Sequence, residues 1–305
     1  MDNLSVKELN VCIGSRQIIK DVSFDLHSGQ ILLVSGKNGC GKTTLIKTLA
    51  GIIPPSSGLI SVCGVQYPGA DIYRHVGYAP WRFGVYNSTT VYEYLYFYSS
   101  CAGRRGLMAK RNIESLMERF ELTKNRDRQI SHMSAGNLQR INIVRSVLTD
   151  PEVLLFDEPL NCMDPKGRDI FAEFIKERAS QGGCILMSSH NLSQTGQFCT
   201  DVCFLEGGSI RLMESIENVR MRDMENSRVR IVLADADRMG EAEELLLASA
   251  QVKNISYSGD ELMVGLDGAG SVDILRRAFM ERGIATVVFA SETRTLEQVF
   301  EGYYQ

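Results

Sequence analysis

A glycine-rich segment at residues 36–43, GKNGCGKT, constrains the fold of this chain more than any other feature. It fits the pattern G-x-x-x-x-G-K-[ST] and lies between an apolar run at residues 31–34 and a helical pattern at residues 43–50. The apolar run predicts a strand buried on both faces. Between a strand and a helix, such glycines let successive backbone N–H groups point at phosphate oxygens. The segment is therefore predicted to be a phosphate-binding loop, and a turn that merely needs glycine for positive φ is the weaker alternative.

The pattern also assigns roles to single residues of the loop. Lys42 is expected to reach the β- and γ-phosphates of a nucleotide, and the Thr43 hydroxyl is expected to hold Mg²⁺. The N-terminus of the helix that follows adds a partial positive charge. The residues of this loop that are predicted to bind nucleotide are Gly36, Lys37, Asn38, Gly39, Cys40, Gly41, Lys42, Thr43 and Thr44.

Three chemically active side chains follow two further apolar runs. Asp157 and Glu158 come directly after residues 153–156, and His190 follows residues 184–187. A parallel α/β sheet binds its ligands at the carboxyl ends of the strands. Asp157 is therefore predicted to meet Mg²⁺, Glu158 to polarise an attacking water, and His190 to contact the γ-phosphate.

The alternation of buried strands with helical segments predicts an α/β fold with a mostly parallel sheet. Residues 91–148 have a largely helical pattern, and a polar stretch at residues 211–226 precedes a β-α-β-β-α-β order. That order is the split βαβ pattern of small ferredoxin-like domains. We expect two domains: residues 1–215, with a helical subdomain at about 88–150, and an accessory domain at residues 226–305.

The composition narrows the classes of partner. The 305 residues include 33 Lys plus Arg and 37 Asp plus Glu, a net charge of −4 that argues against nucleic acid as the main partner. No apolar run approaches the ~20 residues that span a bilayer. The first residues form no basic or apolar leader, so no signal peptide is expected. The 8 cysteines show no CxxC spacing, so reduced thiols are expected and a zinc site is not.

In their order along the chain, these motifs resemble those of an ABC transporter ATPase subunit over residues 4–213. Residues 36–44 resemble the Walker A motif, and residues 153–158 resemble Walker B, with Glu158 at the catalytic glutamate position. His190 matches the switch histidine of the family. The resemblance implies a P-loop cassette with a mostly parallel sheet core, an antiparallel β subdomain and a helical subdomain.

The resemblance also implies a second cassette as partner. In this family two cassettes pair head to tail around two ATP molecules, and each ATP touches a signature loop from the other chain. Asp164 matches the D-loop. The signature, usually LSGGQ, reads MSAGN here, and the residues expected to act in trans are Ser134, Ala135, Gly136 and Asn137. Ala135 replaces a glycine and adds a Cβ where the backbone is expected to approach phosphate or to need positive φ.

Two further positions depart from the family pattern. Trp81 occupies the Q-loop position, where the family has a glutamine that reaches Mg²⁺ and the attacking water. Tryptophan offers no oxygen ligand. Ile13 occupies the position of the aromatic residue that stacks under adenine, so only an apolar contact with the base is expected there.

The end of the chain bears on the direction of transport. Residues 296–300, LEQVF, resemble the LEDVF ending of ATPase subunits from a two-component export subfamily. The first hypothesis is an ATP-hydrolysing subunit that uses ATP and Mg²⁺, dimerises on ATP and powers a separate integral membrane permease for export. It would lie at the cytoplasmic face of the cell membrane, peripheral through that permease, as a homodimer or a heterodimer. The alternative is a nucleotide-gated switch, or a weakly hydrolysing half of a heterodimer, which Trp81 and the altered signature motivate.

Overall fold

The structure is a computed structural model that describes residues 2–69, 72–81, 88–225, 228–258, 261–267 and 271–292. The chain divides into two compact units, Met1–Glu214 and Ser215–Gln305, and each is described by itself. Across the described residues, no helix combines the length and the apolar character needed to cross a membrane.

The first unit contains ten strands and seven α-helices within its described residues. The strands are β1 (Asp2–Ile13), β2 (Arg16–His27), β3 (Ile31–Ser35), β4 (Ser57–Val62), β5 (Val65–Gln66), β6 (Val76–Ala79), β7 (Val153–Phe156), β8 (Cys184–Ser188), β9 (Asp201–Glu206) and β10 (Ser209–Ser215). The helices are α1 (Lys42–Leu49), α2 (Ile72–His75), α3 (Val91–Cys101), α4 (Gly106–Arg119), α5 (Ala135–Val147), α6 (Pro165–Ser180) and α7 (Leu192–Thr195).

A six-stranded sheet with the order β10-β9-β3-β8-β7-β6 forms the centre of this unit. Its strands from β9 to β6 pair in parallel, which confirms the predicted sheet type. Every residue of β3, β7 and β8 is buried, as expected of strands covered on both faces. Val34 pairs with Ser188 and Phe156 pairs with Met187. The loops after β3, β7 and β8 therefore begin at the same edge of the sheet.

A four-stranded antiparallel sheet, β2-β1-β4-β5, packs on the same core. The side chains along its strands largely alternate between buried and exposed. Buried residues such as Leu9, Val22 and Ile60 share one hydrophobic cluster with Leu45 and Ile46 of α1. Burial of such side chains is the main stabilising contribution to a core of this kind. The helix that follows the glycine-rich loop is thus fixed between the two sheets.

The predicted helical region contains α3, α4 and α5. Helix α3 begins with a capping box, in which Thr90 and Glu93 each accept a hydrogen bond from the other's backbone N–H. Helix α4 buries Ala109, Ile113 and Met117, which lie four residues apart on one face of the helix. Helix α4 therefore has one buried face, as an amphipathic helix does.

The second unit is described from α8 (Ile216–Glu225) to β14. Its other elements are β11 (Arg228–Leu233), α9 (Met239–Leu247), β12 (Val252–Ser258), β13 (Glu261–Leu266), α10 (Ser271–Glu281) and β14 (Thr286–Glu292). The strands form an antiparallel sheet in the order β12-β13-β11-β14, which is the ferredoxin-like arrangement expected from the β-α-β-β-α-β order. The described part of the polar stretch, residues 211–225, contains the end of β10, the division between the two units and all of α8. Residues 296–300 lie outside the described residues.

Candidate nucleotide-binding site

The glycine-rich loop connects β3 to α1 and curls tightly around one side chain. A Cβ added to Gly36, whose φ is +151°, would lie 2.2 Å from the carbonyl oxygen of Leu205, so only glycine fits there. The Lys42 ammonium donates hydrogen bonds to the carbonyl of Gly36 at 2.6 Å and to that of Lys37 at 3.3 Å. The loop backbone thus holds the lysine Nζ inside its own curl.

The beginning of α1 is suited to an anion. Gly41 precedes the helix with a φ of +116° and provides no side-chain cap. The first turn of an α-helix has backbone N–H groups without intrahelical partners, and they carry partial positive charge. Together with the Lys42 ammonium they offer positive charge to a phosphate, so the residues present fit a nucleotide.

Asp157, directly after β7, is the most buried carboxylate of the site at 1% exposure. Its Oδ1 accepts a hydrogen bond from Thr43 Oγ1 at 3.1 Å and another from Ser188 Oγ at 2.7 Å. A carboxylate next to a threonine hydroxyl is an oxygen donor set of the kind that Mg²⁺ prefers. The two predicted Mg²⁺ ligands are therefore neighbours, and they fit that ion.

Ser188 is a residue that the sequence analysis missed. Its hydroxyl donates to Asp157 and also accepts a hydrogen bond from the backbone N–H of Glu158 at 2.9 Å. The parallel register of β7 and β8 brings it there. Its place at the end of a buried strand, two residues before His190, is the signal that could have found it.

Glu158 and His190 lie in contact at the same edge of the sheet. Glu158 has a φ of +50°, a left-handed conformation that is uncommon outside glycine. His190 Nδ1 lies 2.9 Å from Glu158 Oε2, and their side chains are 58% and 15% exposed. An ionised carboxylate only accepts hydrogen bonds, so this imidazole nitrogen is the donor. The pair therefore joins a nearly buried base to an exposed imidazole.

A cavity of about 510 Å³ opens over these groups. Among the described residues its lining comprises Arg16, Ile18, Asn38, Gly39, Gly41, Lys42, Thr43, Thr44, Trp81, Glu158, Asn161 and His190. Ile13, the predicted base contact, is 51% exposed and is not part of this lining. It pairs across the β1–β2 hairpin with Arg16, which does line the cavity together with Ile18. The sequence analysis missed these two residues because only the hairpin register brings them to the cavity.

The signature residues lie at the beginning of α5, away from that cavity lining. Ser134 caps the helix, since its Oγ accepts a hydrogen bond from the backbone N–H of Asn137. A Cβ added to Gly136 would lie 2.8 Å from the carbonyl oxygen of Cys162, so glycine is required there by close packing. Ala135 is the first residue of α5 and is not among the residues with positive φ, so its Cβ causes no backbone strain.

Arg140 connects α5 to the start of α6. Asp164 caps α6 by accepting a hydrogen bond from the Gly167 N–H, and its Oδ1 also accepts one from Arg140 Nη2 at 2.6 Å. The hydrogen bond from Arg140 holds the pKa of the Asp164 carboxyl below its usual value. Arg140 donates further to the Phe120 carbonyl and to Glu121, both at 3.3 Å. The signature helix and the D-loop position are therefore joined within the chain.

A buried strand, a glycine-rich loop around its own lysine and an Asp-Glu pair on a neighbouring parallel strand define the nucleotide-binding domain of a P-loop NTPase. Comparison with known proteins gives the family. The profile described as ABC transporter matches residues 19–161. The ABC transporter ATP-binding protein NatA of Bacillus subtilis (strain 168) is 30% identical over 205 residues, which cover 66% of this chain and 83% of that protein.

Two further comparisons extend the match. The Nod factor export ATP-binding protein I of Rhizobium meliloti is 28% identical over 281 residues, covering 87% of this chain and 81% of that protein. A solved structure of an ATP-binding subunit of an ABC transporter has a TM-score of 0.68 at 27% identity and covers 72% of this chain and 92% of its own. The chain belongs to the ABC transporter ATP-binding family, the ATPases of transporters.

One further solved structure shares the fold. It is described as the dimeric, post-hydrolysis state of an ATP-binding cassette bound to ADP and Pi. Its TM-score is 0.64 at 18% identity, and it covers 70% of this chain and 98% of its own. At that identity the likeness concerns the cassette fold alone.

Proposed function

We propose that this protein hydrolyses ATP as one half of a head-to-tail cassette dimer and thereby powers a separate membrane permease for export. The observation that carries the proposal is the contact between His190 and Glu158 beside the phosphate loop. It combines a base, an imidazole and a phosphate cradle in one cavity. These are the parts that nucleotide hydrolysis requires.

The roles of the residues follow from their positions. The loop N–H groups and Lys42 bind the phosphates, and Thr43 with Asp157 would hold Mg²⁺. When bound, that ion would neutralise charge on the phosphates. Glu158 accepts the proton of the attacking water, because its carboxylate lies at the cavity and is nearly buried. His190 orients Glu158 through the hydrogen bond from Nδ1.

The position of the signature supports a second cassette. Ser134 and Ala135 are exposed at the N-terminus of a 13-residue helix, outside the lining of this chain's own cavity. A helix N-terminus favours phosphate. A partner's ATP would meet these groups if two cassettes pair head to tail, which is the arrangement that the family resemblance implies. A solved cassette of the same fold is described as dimeric.

Export and the membrane partner rest on the relatives. The relative from Rhizobium meliloti is named for Nod factor export, and its match extends into the second unit of this chain. We infer that the protein is bound at the cytoplasmic face of the cell membrane through a permease. The 226–305 region would then be the accessory domain of such an exporter.

Steady-state ATPase activity tests the proposal. Glu158→Gln should lower the rate at least 100-fold, because the base is lost while the shape of the site is kept. The matched control is Glu173→Gln on α6, an exposed carboxylate away from the cavity, which should keep the wild-type rate. Equal rates for wild type and Glu158→Gln, both with and without the permease, would refute the hydrolytic function.

Trp81 favours one second candidate, a nucleotide-gated switch that hydrolyses ATP poorly. Trp81 lines the cavity with 49% exposure and is the chain's only tryptophan. Its indole can donate one hydrogen bond but offers no oxygen to a metal or water. If the protein is the ATP-hydrolysing subunit proposed above, Trp81→Gln should change its ATPase rate less than tenfold. A rise of tenfold or more, with unchanged ATP affinity, would support the switch.

A further inference from the structure

A second cluster of chemically active side chains lies at the opposite edge of the six-stranded sheet. It consists of Cys63, His75 and Glu152, whose ligand atoms all lie within 4.8 Å of one another. His75 Nδ1 is 3.0 Å from Glu152 Oε2. Glu152 precedes β7 and Asp157 follows it, so the cluster is about 16 Å along the strand from the nucleotide site. It is the one group of this kind among the described residues.

The two sheets of the first unit fix the backbone at all three positions. His75 and Glu152 each come directly before a strand, and the pairing of Val76 with Val153 places them side by side. The Glu152 carbonyl accepts a hydrogen bond from the Cys184 N–H at 2.8 Å. Cys63 follows β4 in a tight turn with a φ of +48°, and its N–H donates to the Asn3 carbonyl at 2.9 Å.

We propose that Cys63, His75 and Glu152 bind a Zn²⁺ ion. A thiolate, an imidazole and a carboxylate are three ligands that zinc accepts together in a tetrahedral site, and water can take the fourth position. Soft thiolate with imidazole selects zinc over Mg²⁺ or Ca²⁺. The three ligands come from separate segments of the chain, so no CxxC spacing marks the site and the sequence analysis predicted none.

The geometry needs only a small adjustment. Zinc–ligand bonds of about 2.0–2.3 Å at tetrahedral angles place the ligand atoms about 3.5 Å apart. The ligand atoms here lie within 4.8 Å of one another, so none has to approach another by more than about 1.3 Å. His75 Nδ1 and Glu152 Oε2, now 3.0 Å apart, would separate slightly. The side chains of His75 and Glu152 are 29% and 51% exposed. They therefore have room to turn toward Cys63, while solvent gives the ion access. The bound ion would tie the β4–β5 turn to the starts of β6 and β7.

Cobalt titration of the full-length, reduced and metal-free protein tests this site. Co²⁺ is the probe because a thiolate ligand gives it a near-ultraviolet charge-transfer band. Wild type should bind one equivalent with that band, and Zn²⁺ should displace it. Cys63→Ser should abolish the band, and His75→Gln and Glu152→Gln should each weaken Co²⁺ binding at least tenfold.

Two matched cysteine variants test whether the Co²⁺ charge-transfer band arises from Cys63. Cys101→Ser removes an exposed thiol at the end of α3, and Cys40→Ser removes the thiol of the phosphate loop. Both should keep the full band. Circular dichroism without metal shows whether each variant folds, and His75→Gln is an independent test if Cys63→Ser does not. A band that survives Cys63→Ser, disappears in Cys40→Ser, or is insensitive to His75→Gln would overturn the proposal. That outcome would not affect the proposed ATPase, because none of the three ligands lines its cavity.

Discussion

Two regions that the proposal assigns to one reaction are built in different ways. At the carboxyl edge of the parallel sheet, Asp157 is buried and accepts hydrogen bonds from two hydroxyl groups of the same chain. At the beginning of α5, Ser134 and Ala135 are exposed. Arg140, further along the same helix, donates a hydrogen bond to Asp164 at the start of α6. The first region completes its contacts within the chain, whereas the second leaves two residues of a helix N-terminus exposed.

The difference indicates where the chain depends on a partner. Buried polar groups need local partners because an unsatisfied one is costly. The phosphate loop and the acids therefore hold their geometry in a single cassette. Ala135 of the signature is exposed and has no such requirement, so the departure from LSGGQ at this position can be accepted without loss of fold. Variants at Lys42, Arg140 and Ala135 test this difference between the nucleotide site and the signature helix.

Lys42→Ala should have the largest effect, on nucleotide affinity. The variant removes a charge-assisted contact to phosphate, worth up to about 3 kcal/mol or roughly 100-fold in Kd. Isothermal titration with ATP measures it. Lys47→Ala, in the last turn of the same helix, is the matched control and should bind ATP as wild type does. An affinity unchanged by Lys42→Ala would show that the loop does not hold the phosphates.

Arg140→Ala should come next, as a loss of stability of the first unit. Arg140 is 9% exposed and makes three hydrogen bonds, but Glu121 and Asp164 are 39% and 59% exposed, so the variant leaves no buried charge. We expect a loss of about 2 kcal/mol. Urea unfolding followed by Trp81 fluorescence reports on this unit alone, because the chain has no other tryptophan.

The control for Arg140 is another ion-paired arginine. Arg211 is 62% exposed and pairs with Glu206. Arg211→Ala should change the unfolding free energy by less than about 0.5 kcal/mol, as exposed ion pairs do. Equal losses for both variants would show that Arg140 is an ordinary surface charge.

The same contrast explains which parts of the molecule could be predicted from the sequence. Strands β3, β7 and β8 are continuous apolar runs, and the loop motif marks the residues that follow β3. The positions of Asp157, Glu158 and His190 at one edge of the sheet were predictable, because the acids directly follow a buried run and the histidine closely follows another. Each of these signals is local in the chain.

Contacts across the chain gave no such local signal. Ser188 reaches Asp157 through the register of two parallel strands, and Arg16 reaches the cavity through a hairpin. The cluster of Cys63, His75 and Glu152 combines three segments that lie far apart in the sequence. The motif spacing used in the sequence analysis cannot reveal such sites, because strand pairing and the packing of the two sheets bring their members together.

Ala135→Gly should have a smaller effect and bears on the signature itself. Ala135 begins α5 without positive φ, so glycine is not needed for the backbone and costs at most about 1 kcal/mol of stability. If the Cβ keeps the backbone from a partner's phosphate, its removal should raise the ATPase rate of the dimer two- to fivefold. Gly136→Ala is the opposing variant, since its Cβ would meet the Cys162 carbonyl and should lower the rate. A rate that Ala135→Gly leaves unchanged would show that the signature accepts alanine.

The smallest expected effect is the pH dependence of the Arg140–Asp164 contact. The Arg140 hydrogen bond lowers the pKa of Asp164 below its usual 3.8. A carboxyl whose pKa is lower in the folded state than in the unfolded state stabilises the folded protein. This contribution is complete above the unfolded-state pKa and is lost as the pH falls through the folded-state pKa. The difference in unfolding free energy between wild type and Arg140→Ala should therefore be constant from about pH 7 to pH 5 and shrink below about pH 4. In an Asp164→Asn background, where asparagine keeps the helix cap, the pH dependence should become smaller. It should not vanish, because Arg140 also donates to Glu121, whose pKa is lowered by Lys166 and by Arg140. A difference that grows as pH falls would show that Arg140 does not stabilise the charged form of Asp164.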